Sequence, residues 1–323
     1  MFDQLMEKLK ANPKTIVFTE GTDARILSAA SRLLADGLMG VILIGPVDEV
    51  KAAADKGGFD VSRAKIMDPA TYEGMDAMVA KMVELRRGKM TEEQCREALL
   101  KGNYFGTMLV KIGEADALLG GATYSTADTV RPALQLVKTK PGNKIVSSCV
   151  VLLRDKPDGT QETLLMGDIA INIHPNEDEI LEIGVETAKT AKVFGVDPKV
   201  AFLSFSTKGS AKDDDATKMA NAAARAKEIM DVPVDGEMQF DAAVSEEVGQ
   251  LKFPGSKVAG HANTFIFPDL GAGNIGYQIA QRLGGFAAYG PILQGLNAPI
   301  NDLSRGCVAD EVYKMAIITC ALA

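Results

Sequence analysis

The sequence predicts an α/β fold with two domains and largely parallel sheets. Short apolar runs typical of strands alternate with longer amphipathic stretches typical of helices. The chain has 323 residues, which is longer than one hydrophobic core usually supports. A hairpin-like turn over 154–159 interrupts the alternation near mid-chain and indicates a second domain with a mixed sheet. Clefts between domains are common small-molecule sites.

The first half reads as an amphipathic helix followed by β-α units. Pro46 suits the start of one helix, because proline fits the first helical turn. A loop of glycine and hydroxyl residues, 120–126, leads into a helix carrying Arg131, and it offers either backbone N–H groups for an anion or only a tight turn. The predicted elements before it are helix 1–11, strand 14–18, helix 23–35, strand 41–45, helix 47–55, helices 74–87, 91–100 and 102–112, and strand 115–119.

The second half begins near residues 141–150. A turn at 141–144 precedes a long apolar run over 145–153, which the turn at 154–159 ends. Farther on, a predicted strand over 201–206 leads into a loop and a helix with the acidic start Asp213-Asp214-Asp215. This layout repeats that of residues 115–131, although its acidic helix start weakens the case for an anion site.

Composition excludes several classes of protein. The net charge of −8 argues against a general nucleic-acid surface, which requires a basic face. No apolar run is long enough to span a bilayer, and residues 1–11 lack the apolar centre of a signal peptide, so a cytoplasmic protein is expected. Four widely spaced cysteines and only two histidines indicate neither a metal site nor a disulfide framework.

The segment Asn301–Cys307 concentrates chemically active side chains. It contains an amide, a carboxylate, a hydroxyl, a guanidinium and a thiol, and the carboxylates Asp310 and Glu311 follow. A guanidinium is a planar fork of donors suited to phosphate, and a nearby carboxylate can accept a proton. The segment could therefore bind a phosphorylated acid and activate a nucleophile. The alternative is an ordinary turn before a final helix whose positive end favours a carboxylate.

The amino-acid sequence of Asn301–Cys307 closely resembles the C-terminal signature of phosphate acetyltransferases, which move an acetyl group between phosphate and coenzyme A. Five further blocks resemble the family in the same order, and together they cover nearly the whole chain. These blocks are 126–135, 167–172, 204–210, 235–241 and 267–274.

The resemblance implies the organisation of the chain and its partners. The last residues return to the first domain, which then comprises 1–146 and 297–323, and the second domain comprises 147–296. The active-site cleft then lies between the two domains. The family acts without a tightly bound cofactor or metal, uses coenzyme A as a co-substrate with acetyl phosphate, acetyl-CoA and phosphate, and forms homodimers. No nucleic acid or membrane is an expected partner.

The resemblance also assigns roles to several residues. Ser304 and Arg305 match the positions that hold acetyl phosphate and stabilise the tetrahedral intermediate, and Arg131 matches a second substrate-binding arginine. A third such arginine falls at Arg86 or Arg87. Arg86 is favoured, and Arg87 stays open because the run before Met90 is one residue shorter than in the family.

The base is expected among the two carboxylates that follow. In the family an aspartate, usually preceded by a glutamate, lies six positions after the arginine, and here the order is reversed, with Glu311 at that position and Asp310 before it. Either carboxylate can take a proton from the thiol of coenzyme A. The implied mechanism is direct thiolate attack in a ternary complex, without an acetyl-enzyme on Cys307.

Three rival functions are considered. Gly271–Gly276 fits the dinucleotide-binding pattern between a predicted strand over 264–267 and a predicted helix over 277–283. The acidic residue required about twenty positions later is missing, so a plain turn or a loop lining the cleft is favoured. A butyryl phosphate enzyme would share the fold, whereas a binding module without catalysis would not need Ser304 and Arg305. His174 and His261 are left out of the mechanism, because the sequence does not place a nucleophile beside either histidine.

Overall fold

A computed structural model describes residues 1–323, and these form two compact units. Phe2–Gly142 and Leu296–Ala323 make up one unit, and Asn143–Gly295 together with Met1 make up the other. The domain limits drawn from the sequence, at 146/147 and 296/297, remain a prediction for limited proteolysis.

The unit that begins at Phe2 opens with a helix and then follows a β-α pattern. Its elements up to residue 142 are α1 (Phe2–Ala11), β1 (Thr15–Phe18), α2 (Ala24–Ala35), β2 (Gly40–Ile44), α3 (Val47–Gly57), β3 (Lys65–Met67), α4 (Met75–Arg86), α5 (Glu92–Leu99), α6 (Gly102–Lys111), β4 (Ala117–Gly120) and α7 (Thr126–Pro132). A π-helical turn over Ala133–Val137 extends α7.

The central part of the chain forms the other unit, after which the chain returns. The central elements are β5 (Ser147–Asp155), β6 (Gln161–Gly167), α8 (Glu177–Val193), β7 (Val200–Leu203), α9 (Asp214–Ile229), β8 (Val234–Met238), α10 (Phe240–Val244), α11 (Glu246–Lys252), β9 (Thr264–Ile266), α12 (Leu270–Arg282) and β10 (Ala287–Gln294). The returning elements are β11 (Ile300–Asp302) and α13 (Ala309–Ala321).

The unit that begins at Phe2 is built on a five-stranded sheet in the order β11-β4-β1-β2-β3, with every pair parallel. All four residues of β4 are buried, as expected for a strand covered on both faces. Asp23 caps α2 by accepting the backbone N–H of Arg25, which fixes where that helix starts. Strand β3 was not predicted, because three residues at a sheet edge carry too little pattern.

The central unit has a mixed six-stranded sheet in the order β10-β5-β6-β9-β7-β8. Strand β5 runs antiparallel to β6 and β10, and the other pairs are parallel. The predicted hairpin is therefore confirmed, with its turn between Lys156 and Thr160. The predicted α/β class with largely parallel sheets is confirmed as well. None of the helices is long and apolar enough to cross a membrane.

Candidate active site

Three loops emerge together at one edge of the five-stranded sheet. The Arg305 loop (303–308) follows β11, the Gly121 loop (121–125) follows β4, and the Glu20 loop (19–23) follows β1. These strands are adjacent and parallel, so their carboxyl ends share an edge. The chain builds outward from β1 in both directions, to β2 on one side and to β4 on the other. Ligands of open α/β sheets bind outside the strand ends at such a switch point.

The Arg305 loop presents two predicted residues to solvent. Ser304 and Arg305 are exposed, and the Arg305 guanidinium has no hydrogen bond or ion pair. The Ser304 hydroxyl accepts the N–H of Gly306 at 3.2 Å, and the Ser304 carbonyl accepts the N–H of Cys307 at 3.0 Å, which folds the loop into a tight turn. The guanidinium is thus a free donor fork on a constrained backbone.

Asn301 and Asp302 are structural and lie inside the fold. The Asn301 amide donates to the Thr319 hydroxyl of α13 at 2.9 Å. The Asp302 carboxylate accepts the hydroxyls of Thr126 and Thr129, each at 2.6 Å. Burial raises the Asp302 pKa, and the two hydroxyl donors oppose that rise. These bonds tie β11 to α7, the helix that carries Arg131.

The hydrogen bonds of the Gly121 loop favour a tight turn over an anion site, the two interpretations that the sequence left open. The backbone N–H groups of Gly121 and Thr123 donate to the Glu20 carboxylate at 3.2 and 2.8 Å, and the Thr123 hydroxyl donates to it at 3.0 Å. The protein's own carboxylate therefore takes the donors that an anion site would need. Burial raises the Glu20 pKa, against the pull of these hydrogen bonds. Glu20 lies 101 positions before Gly121, and no local sequence pattern predicts that its carboxylate accepts the Gly121 N–H.

Gly121 is required where the Gly121 loop meets β11. Its φ is +100°, which is strained for other residues, and an added Cβ would lie 2.2 Å from an Asp302 oxygen. The glycine therefore permits close approach of the two strand ends, and the expectation of a tight strand-to-helix turn is met here.

The three candidate arginines differ in their surroundings. Arg86 ends α4, is half-buried, and its Nε atom is buried without a hydrogen-bond partner. Burial raises the Tyr104 pKa, while the charges of Arg131 and Arg86 oppose that rise, so both arginines lie near one phenol. Arg87 is exposed and adopts the left-handed conformation (φ 48°) that caps α4. Arg86 and Arg131 thus both act electrostatically on Tyr104, whereas Arg87 faces solvent at the end of α4.

Asp310 and Glu311 point to different partners. The Asp310 carboxylate pairs with Arg32 at 3.1 Å and Lys314 at 2.8 Å on the exposed face of α13, and the hydrogen bond from Lys314 is the main cause of its lowered pKa. The Glu311 carboxylate turns back to the Arg305 loop and accepts the Val308 N–H at 3.1 Å. Consecutive helical residues project about 100° apart, which separates the two directions.

Cys307 is a buried thiol. Its pKa is raised by burial, although the nearby Arg25 guanidinium, 3.7 Å from the sulfur, opposes the rise. His174 and His261 are both exposed.

The resemblance implies direct transfer without an acetyl-enzyme. Cys307→Ala should then retain at least about half of the wild-type kcat for acetyl transfer, because a buried thiol with a raised pKa acts as a small apolar side chain. Steady-state kinetics measure this, and mass spectrometry after mixing with acetyl phosphate checks for an acetylated protein. A folded but inactive variant, with acetyl trapped on the wild-type cysteine, would instead establish a covalent route.

The dinucleotide-like motif lies inside a helix. Helix α12 already begins at Leu270, so Gly271–Gly276 forms its first two turns and not the predicted turn ahead of Tyr277. Asp269 caps this helix by accepting the N–H of Ala272 at 2.8 Å, so a carboxylate occupies the position that a pyrophosphate would need. An added Cβ on Gly273 would lie 2.2 Å from the Asp168 carbonyl oxygen, so this glycine serves packing.

Comparison with known proteins places the whole chain in one family. The family model described as "Phosphate acetyl/butaryl transferase" matches residues 1–320. The phosphate acetyltransferase of Bacillus subtilis (strain 168) is 52% identical over 324 residues, covering 100% of this chain and 99% of that protein.

Solved structures similar to this chain include two phosphotransacetylases. A phosphotransacetylase from Streptococcus pyogenes superposes with a TM-score of 0.95 at 50% identity, and EutD phosphotransacetylase from Staphylococcus aureus superposes with a TM-score of 0.92 at 49% identity. Each comparison covers 99% of this chain and 97% of the other.

Proposed function

The chain belongs to the phosphate acetyltransferase family, and from that premise we propose that it transfers the acetyl group reversibly between acetyl phosphate and coenzyme A. The observation that carries the proposal is the unpartnered Arg305 guanidinium beside Ser304, at the switch point of a parallel sheet. A planar cation placed there suits a phosphate ester, and Glu311 turns toward the same loop.

The proposed reaction is direct acyl transfer. The thiol of coenzyme A has a pKa of about 8.5, so only a few per cent is thiolate at neutral pH and a base is needed. Glu311 takes the thiol proton, sulfur attacks the acetyl carbonyl carbon, and a C–S bond forms as the carbonyl oxygen becomes negative. The C–O bond to phosphate then breaks, and phosphate leaves with the electron pair. Ser304 and Arg305 donate to the developing negative charge.

Glu311 is preferred over Asp310 as the base because of where each carboxylate is held. The two ion pairs of Asp310 keep it on the outer face of α13. Glu311 uses one oxygen to accept the Val308 N–H. A carboxylate has about four lone-pair sites, so this single bond leaves capacity for a proton.

Arg86→Ala is expected to raise the KM of a phosphate-bearing substrate, acetyl phosphate or coenzyme A, by about tenfold or more, because a hydrogen bond to a charged group contributes about 1.5–3 kcal/mol. Arg131→Ala should also raise the KM of a phosphate-bearing substrate. Arg87→Ala is the matched control and should stay within about threefold, since it faces solvent. Steady-state kinetics with each substrate varied test the assignment, and a larger effect in Arg87→Ala would reverse it.

Acetyl phosphate should be preferred to butyryl phosphate. The test is thioester formation by the purified protein with coenzyme A and each acyl phosphate in turn. Butyryl is longer than acetyl by two methylenes, each of which contributes about 1–3 kcal/mol of discrimination, so weak butyryl transfer is compatible with the proposal. A higher kcat/KM for butyryl phosphate would favour the alternative acyl group. No transfer from either substrate would make the chain a binding module.

We also propose that the chain is a homodimer, with an apolar face of the central unit as the contact. Ile275, Ile279 and Leu283 recur every four residues along α12 and are 61%, 54% and 85% exposed. Phe205 and Phe240 are exposed too, and with Ile279 they line a cavity of about 680 Å³. A self-complementary contact buries about 800 Å² per partner, which a set of large apolar side chains can supply.

The double variant Ile279→Glu with Leu283→Glu should be a monomer at concentrations where the wild type is a dimer, because two charges per protomer would be buried in the contact. Glutamate keeps helix propensity, so α12 should persist. Light scattering after size exclusion measures the mass. Leu100→Glu, at an exposed leucine following α5, is the control and should remain dimeric. A monomeric wild type would contradict the proposal and leave the face to a small apolar ligand.

A further inference from the structure

Arg25 joins the three loops of the candidate site. Its Nη1 atom donates to the carbonyl oxygens of Arg305 at 2.8 Å and Cys307 at 3.2 Å, in the Arg305 loop. Its Nη2 atom donates to the carbonyl of Ala122 at 2.9 Å, in the Gly121 loop, and to the Asp23 carboxylate at 2.8 Å, in the Glu20 loop. One guanidinium thus bridges the ends of β1, β4 and β11.

The start of α2 fixes the direction of this guanidinium. One Asp23 oxygen accepts the Arg25 backbone N–H at 2.9 Å and Nε at 3.0 Å, and the other accepts Nη2. A bidentate carboxylate holds a guanidinium in its own plane. The remaining N–H groups therefore point away from Asp23, toward the other two loops.

The ends of the Arg305 loop are held by hydrogen bonds from Leu303 to Gly120 and from Val308 to Glu311, but Arg25 alone holds its middle from outside. The remaining hydrogen bonds of residues 304–307 run within the loop, between Ser304 and either Gly306 or Cys307. Every bond from elsewhere in the protein to residues 304–307 comes from Arg25. The acceptors are the carbonyls of Arg305 itself and of Cys307, so the bonds act on the backbone that carries the reactive side chains.

We propose that Arg25 is a positioning residue, which holds the Arg305 loop so that the Arg305 guanidinium meets the developing negative charge. The inference rests on the proposed acetyl transfer. A displacement of about 1 Å in a positioned group can lower a rate by about 10²-fold. Lysine keeps the charge at this position but is a single point donor, so it cannot grip Asp23 and reach two loops together.

The test is Arg25→Lys in two backgrounds, the wild type and Arg305→Ala. In the wild type we expect kcat to fall by about 10–10²-fold, with the KM of each substrate changing less than about threefold. In the Arg305→Ala background the same substitution should cost less than about threefold, because there is no guanidinium left to position. If Arg25→Lys only reduced the fraction of folded protein, it would lower kcat by the same factor in both backgrounds. The comparison therefore separates positioning from a purely structural role.

Three results would overturn the inference. These are an equal loss in both backgrounds, a change confined to KM, and an unaltered kcat. Hydrogen exchange of the hydrogen-bonded backbone amides at 306–308 gives a readout without substrate, and Arg25→Lys should speed it by about tenfold or more while the interior of α2 stays protected. If exchange in Arg25→Lys were unchanged, Arg25 would not hold the Arg305 loop, whether or not the protein transfers acetyl groups. If the wild type were inactive but exchange were faster in the variant, only the proposed function would be refuted.

Discussion

Replacing Arg305 by alanine should lower kcat for acetyl transfer by about 10²–10³-fold, the cost of removing one donor aimed at a developing oxyanion. The guanidinium has no partner in the protein, so the substitution leaves no buried charge unpaired. The backbone of the loop keeps its bonds from Arg25, because they go to carbonyl groups. The loss should therefore be one of catalysis, with the midpoint of thermal unfolding nearly unchanged.

Kinetics with both substrates at saturation measure this loss. Arg305→Lys should fall between the alanine variant and the wild type, since it keeps the charge but loses the planar fork. Arg87→Ala serves as a matched control, an exposed arginine of the same unit with little expected effect. Near-normal turnover in a folded Arg305→Ala protein would remove Arg305 from the mechanism.

Glu311→Gln should lower kcat at pH 7 by about 10²–10⁴-fold, the usual contribution of a positioned general base. The substitution is specific, because the glutamine oxygen can still accept the Val308 N–H and the start of α13 is preserved. Raising the pH from 7 to 9 should restore about 20-fold, since the thiol of coenzyme A, with a pKa of about 8.5, then ionises without help. The wild type should gain much less over this range.

Asp310→Asn is the matched control for the base. It removes two exposed ion pairs, which contribute at most a few tenths to about 1 kcal/mol of stability. The Asp310 pKa is lowered, so this stability is present above the unfolded pKa of about 3.9 and is lost as the pH falls through the lower folded value. Turnover at pH 7 should hardly change. The reverse ranking of the two variants would make Asp310 the base, and full activity in both would leave the proton to water or another group.

Much of the fold could be predicted from local pattern. The apolar runs and amphipathic stretches predicted β1, α2, β2 and α3 to within about two residues, because the burial that shapes them repeats with the period of the element. Strand β3 was missed, and α12 was started too late. Strand β3 has only three residues at a sheet edge, which is too short to show a periodic pattern. The start of α12 was missed because it contains glycines, which its packing requires where Gly273 lies against the backbone of Asp168.

The sequence by itself determined the α/β class and, through six blocks in family order, the family and the residues to examine. Tertiary structure alone decided the surroundings of the site residues: Glu20 accepts the N–H groups of the Gly121 loop, the charges of Arg86 and Arg131 both act on Tyr104, and Asp310 and Glu311 separate. The Arg25 clamp joins residues 280 positions apart. The physical reason is that hydrogen-bond partners at the edge of a parallel sheet are set by strand order, whereas sequence periodicity reports only which face of an element is buried.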